Sequence, residues 1–169
     1  TPTRRQRQMC IRDREKLEGL SESAIESASN EAKSRGMEGK YVIALKNTSG
    51  QPSLSSLKNR ELRERIHTTS LSRGSRGGEF DNREILTNVL RLRAEKAKLL
   101  GYENHAAYTL EVQTAQTPQA VNERLGSLAP KSLANAKREA SDLQEMINAS
   151  GGSFLLSSWD WDYYTEKVR

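Results

Sequence analysis

Hydrolysis at a bound metal needs neutral imidazoles and carboxylates that converge on one ion. Its commonest helical form is His-Glu-x-x-His, in which two His at i and i+4 hold zinc and the Glu activates water. The chain has only two histidines, His67 and His105, and they lie 38 residues apart. Neither has a second His at helical spacing, so both are expected to be structural or surface residues rather than ligands. Cys10 is the single cysteine, which rules out an internal disulfide and a Cys-based zinc site and fits a reducing compartment. It sits in an unpatterned stretch with no plausible fixed base, a poor setting for a nucleophile. There is no Gly-x-Ser-x-Gly elbow and no recognisable order of Ser, His and Asp. The expectation is that this chain contains no catalytic, cofactor-binding or metal-ligating residue.

Two clusters offer weaker chemistry. The loop Arg73-Gly74-Ser75-Arg76-Gly77-Gly78 can cradle an anion with backbone amides and arginines, yet it lacks the Walker spacing and its Lys-Ser/Thr ending. A connector is the favoured reading, its arginines free to pair with nearby carboxylates. Trp159, Trp161, Tyr163 and Tyr164 gather four of the nine aromatic residues into one short segment. They can form a stacking platform for a ligand, or anchor a helix on a neighbouring core, and the anchor is favoured.

The elements that would position these residues are mostly helical. Ser21 is placed to cap a helix carrying Ala24, Ile25 and Ala28, which Gly36 and Gly39 end. Tyr41 to Leu45 is a short β-type run followed by turn residues from Asn47 to Pro52, with no second convincing strand to pair with it. Leu54, Leu57, Leu62 and Ile66 recur at spacings compatible with helix. Asp81 followed by Glu84 has the form of a capping box. It opens a predicted helix whose broad apolar face is Ile85, Leu86, Val89, Leu90, Ala94, Ala97 and Leu100, ended by Gly101 after about 30 Å. A short helical stretch spans Ala106 to Val112. Thr117-Pro118 then starts a long helix with Val121, Leu125, Leu128, Leu133, Ala136, Ala140, Leu143 and Ile147 on one side. Pro130 is expected to kink or split it, and Gly151-Gly152 to end it. A last helix runs from Ser158 to Arg169, with Ser158 and Asp160 at its start and Lys167 and Arg169 at its end, matching the dipole. It runs to the end of the sequence without a closing Gly, Pro or polar tail, as an interior piece of a longer protein would.

Composition sets limits. Of the 169 residues 34% are hydrophobic and 29% charged, with mean hydropathy -0.80, so a self-contained core would be thin. Residues 1–14 carry five arginines against one aspartate, a net +4 out of the total +5. The other 155 residues are nearly neutral with interleaved signs, the pattern of a solvated surface and not of a phosphate-tracking groove. Nucleic acid is therefore not expected as a partner. No apolar run approaches the roughly 18 residues of a membrane span, so a membrane partner is not expected either, and the chain reads as cytoplasmic. The triplets Asn47-Thr48-Ser49 and Asn148-Ala149-Ser150 match the glycosylation pattern only at chance level. The organisation reads as a basic, non-native tail over 1–14, a helical segment with a short extended stretch and Gly-rich loop over 15–80, and a helical segment over 81–169.

Several separated patches agree, in order, with one family. Gly39-Lys-Tyr-Val-Ile-Ala-Leu45, Gln51-Pro52, Asn59-Arg60, Leu62-Arg63-Glu64 and Ser72-Arg73-Gly74 come first. Arg93-Ala-Glu-Lys-Ala-Lys-Leu-Leu-Gly-Tyr102, Ala107-Tyr108, Thr117-Pro118 with Val121, and Trp159-Asp-Trp-Asp-Tyr-Tyr164 with Lys167-Val168-Arg169 follow. From about residue 15 to 169 the chain resembles peptidyl-dipeptidases and the related thimet-type zinc oligopeptidases. The resemblance implies an all-α fold, with room for one short strand, as part of an enzyme whose two helical halves flank a deep channel. That channel admits short peptides, from which peptidyl-dipeptidases release C-terminal dipeptides. It also implies that zinc and the general-base Glu belong to a motif this sequence does not reach. The reading is an interior piece of a zinc metallopeptidase that supplies scaffold and channel wall and is inactive by itself. The competing reading is a non-enzymatic helical module that binds a partner through the apolar faces of helices 81–100 and 118–149.

Overall fold

The computed structural model describes residues 8–11, 13–45 and 51–168. Arg4, Arg5, Arg7, Arg12, the Asn47-Thr48-Ser49 triplet and Arg169 lie outside the described residues. Among the described residues six α-helices dominate, as the all-α reading expects: α1 Glu22–Lys33, α2 Arg60–Leu71, α3 Arg83–Leu99, α4 His105–Leu110, α5 Pro118–Ala149 and α6 Trp161–Val168. Strand β2, Tyr41–Ala44, occupies the expected β-type run. Its partner is a surprise. Strand β1, Gln8–Ile11, pairs antiparallel with it, Gln8 opposite Ala44 and Ile11 opposite Tyr41. The segment read as an unpatterned tail thus contributes backbone to a two-stranded ribbon. Ladder bonds come from the main chain, so pairing of this kind does not require side-chain alternation in the added strand.

Local capping follows the residues closely. Ser21 Oγ accepts the Ala24 amide at 3.2 Å, Asn59 Oδ1 accepts that of Leu62 at 2.8 Å, and Thr117 Oγ1 that of Ala120 at 3.2 Å. Each satisfies an orphan donor at a helix start. The capping box at Asp81 and Glu84 does not form. Helix α3 begins at Arg83 with Asn82 as its cap and no side-chain cap bond. Asp81 instead accepts from the Arg83 backbone amide at 3.0 Å and pairs with the Arg83 guanidinium at 2.7 Å. The adjacent cation satisfies a carboxylate that would otherwise reach into the first turn. At the other end, Gly101 adopts φ +83° while Tyr102 N–H donates to Ala97 O at 2.9 Å and Gly101 N–H to Lys98 O at 3.1 Å. This is a complete Schellman closure, and the left-handed residue in it favours glycine.

Pro130 lies inside α5, which runs unbroken from Pro118 to Ala149, so the expected split is absent. The last helix starts at Trp161 rather than Ser158, with Tyr164 N–H donating to Asp160 O at 3.1 Å. Leu54 and Leu57 precede α2, in a 3-10 turn at Pro52–Leu54 and the bend after it. They still meet Leu62 and Ile66 in the core, together with Ile11, Leu17 and Leu45.

The chain divides into two compact units. One comprises the residues up to Phe80 together with Ser141 onward, and the other comprises Asp81–Ala140. The first unit contains the core just described and a second cluster in which Leu143, Ile147 and Tyr164 are buried, with Met146, Phe154 and Trp161 packed on them. In the second unit, α3 buries only Ala97. Its Ile85, Leu86 and Leu90 are all more than half exposed, as are Leu125 and Leu133 on α5. The apolar face anticipated for α3 lies open apart from Ala97, while that of α5 is exposed at Leu125, Leu128 and Leu133 and buried at Leu143 and Ile147.

Candidate functional site

The most constrained polar arrangement is built on α2. Arg60 and Arg63 stand three residues apart and so share one helix face. Both converge on Asp160, which has no exposed surface. Arg63 Nη2 donates to Asp160 Oδ1 at 2.8 Å. Arg60 Nη2 donates to Oδ2 at 2.9 Å and Arg60 Nε lies 3.1 Å from each carboxylate oxygen. The Ser157 amide donates to Oδ2 at 3.2 Å. Arg63 is itself almost wholly buried. Its Nη1 donates to the carbonyls of Leu57 at 3.0 Å and Lys58 at 2.9 Å, and among the described residues its Nε has no partner.

Aromatic faces complete the enclosure. The Arg60 guanidinium lies 4.1 Å from the Phe154 ring centre and 5.6 Å from that of Trp159, and Arg63 lies 4.3 Å from Tyr163. Such stacking suits the flat, weakly hydrated guanidinium. Every lone-pair direction of Asp160 faces protein donors, so the carboxylate has nothing left to offer a substrate or an ion. The cluster joins α2 to the segment leading into α6, and its chemistry is that of a clamp.

The aromatic segment is an anchor. Tyr164 is buried against Leu143 and Ile147, and Trp161 and Tyr163 pack on the same cluster. The arginines of the Gly-rich loop donate to oxygens at the end of α2. Arg73 Nε donates to Ser70 O at 2.9 Å, Arg76 Nε to Ser72 Oγ at 2.9 Å, and Arg76 Nη2 to Thr69 O. They lie at the C-terminal end of α2, where free carbonyls and the helix dipole favour cations.

His67 stands edge-on to Trp159 at 6.3 Å and lines a cavity of about 430 Å³ with Ser70 and Asp162. A serine, a histidine and an aspartate thus share a space. Among the described residues no hydrogen bond links the imidazole to either, and the Ser70 hydroxyl is taken by Gln51 Nε2 at 3.1 Å. Nucleophilic catalysis needs those links. His105 opens α4 with its ring 6.2 Å from Tyr108, its Nε2 3.5 Å from Thr109 Oγ1, and its Nδ1 buried without a partner. Among the described residues no three His, Cys, Asp or Glu side chains group where they could hold a metal ion. The donors present do not fit zinc.

Sequence reasoning missed Asp160, Arg60 and Arg63 as a unit. The signal was there: Arg63 falls within the stripe that contains Leu62 and Ile66, where an unpaired charge is too costly to bury. Asp160 looked like an ordinary helix-start residue, and only the tertiary fold shows its partners.

The sequence itself belongs to a known class of protein. Residues 53–169 match the model of peptidase family M3, and the chain belongs to that family. It is similar to the dipeptidyl carboxypeptidase of Salmonella typhimurium, 33% identical over 161 residues, which is 95% of this chain and 24% of that protein. The dipeptidyl carboxypeptidase of Escherichia coli is 32% identical over 161 residues, with the same shares covered. Oligopeptidase A of Escherichia coli is 33% identical over 163 residues, 94% of this chain and 24% of that protein. The chain spans about a quarter of the length of these curated relatives. The resemblance read from the patches between Gly39 and Arg169 is therefore a family relationship. No helix among the described residues is long and apolar enough to cross a membrane.

Proposed function

We propose that this chain is the scaffold-and-wall portion of a zinc metallopeptidase that hydrolyses short peptides and releases dipeptides from their C-terminal ends in the cytoplasm. The observation that carries the reading is the match to dipeptidyl carboxypeptidases along 95% of the chain but only 24% of theirs. Residues of the longer protein would hold the zinc, which would supply a polarised scissile carbonyl and a water of lowered pKa. The residues of this chain hold walls in place. Asp160 with Arg60 and Arg63 fixes the last helix of the chain against α2, so that whatever follows in a longer polypeptide starts from a set direction.

The test is a peptide assay read by mass spectrometry on the 169-residue chain and on a longer polypeptide expressed from the same gene. Dipeptides should leave the C-terminal end of a short blocked substrate only with the longer one. Release of single amino acids, or internal cleavage alone, would contradict the dipeptide assignment, and turnover by the 169-residue chain would contradict the scaffold role.

A further inference from the structure

The cavity of about 430 Å³ that His67 shares with Ser70 and Asp162 lacks the links of a catalytic triad, and its walls suit a different chemistry. Leu54, buried, lies deepest, and Trp161 and Leu71 add apolar surface. Asp162 supplies the one carboxylate of the lining and is exposed, which puts the charge at the rim. Arg60 and Arg63 are committed to Asp160, two residues earlier. Among the described residues no hydrogen bond or ion pair engages the Asp162 carboxylate. An apolar floor under a charged rim, in a space the size of ordinary ligand pockets, fits a molecule with an apolar body and a charged head. The sign of that head follows from Asp162. An anion would be repelled, and a neutral occupant would cover the carboxylate without giving it a partner, at a desolvation cost. A cation brings the missing counter-charge and also gains from the indole face of Trp161. A bare metal ion finds no third donor.

We propose that this cavity binds a small organic ammonium, its apolar body against Leu54 and Trp161 and its charged head on the Asp162 carboxylate. A free amine and the N-terminus of a peptide share that chemistry. The half-buried imidazole of His67 offers the head a further acceptor when neutral. The site requires no metal and no hydrolysis, so it and the proposed function can fail separately.

The test is an NMR titration of the isotope-labelled 169-residue chain with phenethylammonium chloride, beside 2-phenylethanol, which keeps the ring and carries a neutral head. The His67 ring and Trp161 indole signals should shift with the ammonium, and the alcohol should bind at least about fivefold more weakly. Asp162→Asn, at an exposed position, should weaken ammonium binding by at least about fivefold with the thermal melt unchanged. Asp142→Asn, also exposed but on α5, makes the same change of charge outside the cavity and should leave binding as it was. Phenylalaninamide separates the sources. Binding as tight as that of phenethylammonium, lost on N-acetylation, assigns the site to a peptide's first residue, and weaker binding assigns it to a free amine. Equal binding of ammonium and alcohol, an Asp162→Asn chain that binds as the parent does, shifts confined to residues outside the cavity, or no binding at millimolar ligand would overturn the proposal.

Discussion

Asp160 accepts hydrogen bonds from two guanidiniums and a backbone amide without any exposed surface. A buried ion cluster of this kind adds little over an apolar replacement of the whole set, but breaking it by removing one partner is costly because a buried charge is left alone. Asp160→Asn, nearly isosteric, leaves two arginines without a counter-charge and should lower stability by about 3–5 kcal/mol in urea unfolding. The same substitution at Asp162, exposed on the neighbouring turn, should change it by less than about 0.5 kcal/mol. Equal effects would mean that the clamp does not hold α6. Tyr102 carries the clearest titration signature. Its hydroxyl donates to the Glu111 carboxylate, and that bond, then burial, then the charge of Glu111 raise its pKa above the ordinary phenol value. A raised folded pKa means the contribution is fully present below the unfolded value and is lost as pH rises through the folded one, a window above about pH 10. Ring-carbon NMR should show Tyr102 titrating later than an ordinary tyrosine, and Glu111→Gln should bring it back.

Helices divide by what their apolar faces meet. The end of α5 puts Ile147 at full burial beside Leu143 and Tyr164, whereas Leu86 on α3 is 58% exposed. Ile147→Ala should therefore cost about 2–5 kcal/mol, and Leu86→Gln less than about 0.5 kcal/mol in the isolated chain. Parallel denaturant titrations decide it. A large cost at Leu86 would show that the α3 face is already covered. Capping at Ser21 and Thr117, and termination at Gly101, were legible in the sequence because each involves residues within four or five positions. The β1 strand was not, since its pairing with β2 joins residues thirty or more positions apart. Asp81 misled for a local reason: Arg83 competes for the carboxylate that a capping box would use.

At the scale of the molecule, the helical class and the family were readable, because patches from Gly39 to Arg169 keep their order even though each alone is short. The clamp was not readable, as Arg60 and Arg63 lie about a hundred positions from Asp160 and nothing local distinguishes them from solvated charges. The open face of α3 and the exposed part of that of α5 fit a chain that covers a quarter of its relatives' length. They leave the second unit with little core of its own. No three His, Cys, Asp or Glu side chains among the described residues group where they could hold a metal ion. The most direct measurement is the zinc content of the purified 169-residue chain after metal loading and dialysis, beside that of a longer polypeptide from the same gene. The expected result is no retained zinc in the first and one ion per chain in the second. One tightly held zinc per 169-residue chain would contradict the scaffold assignment.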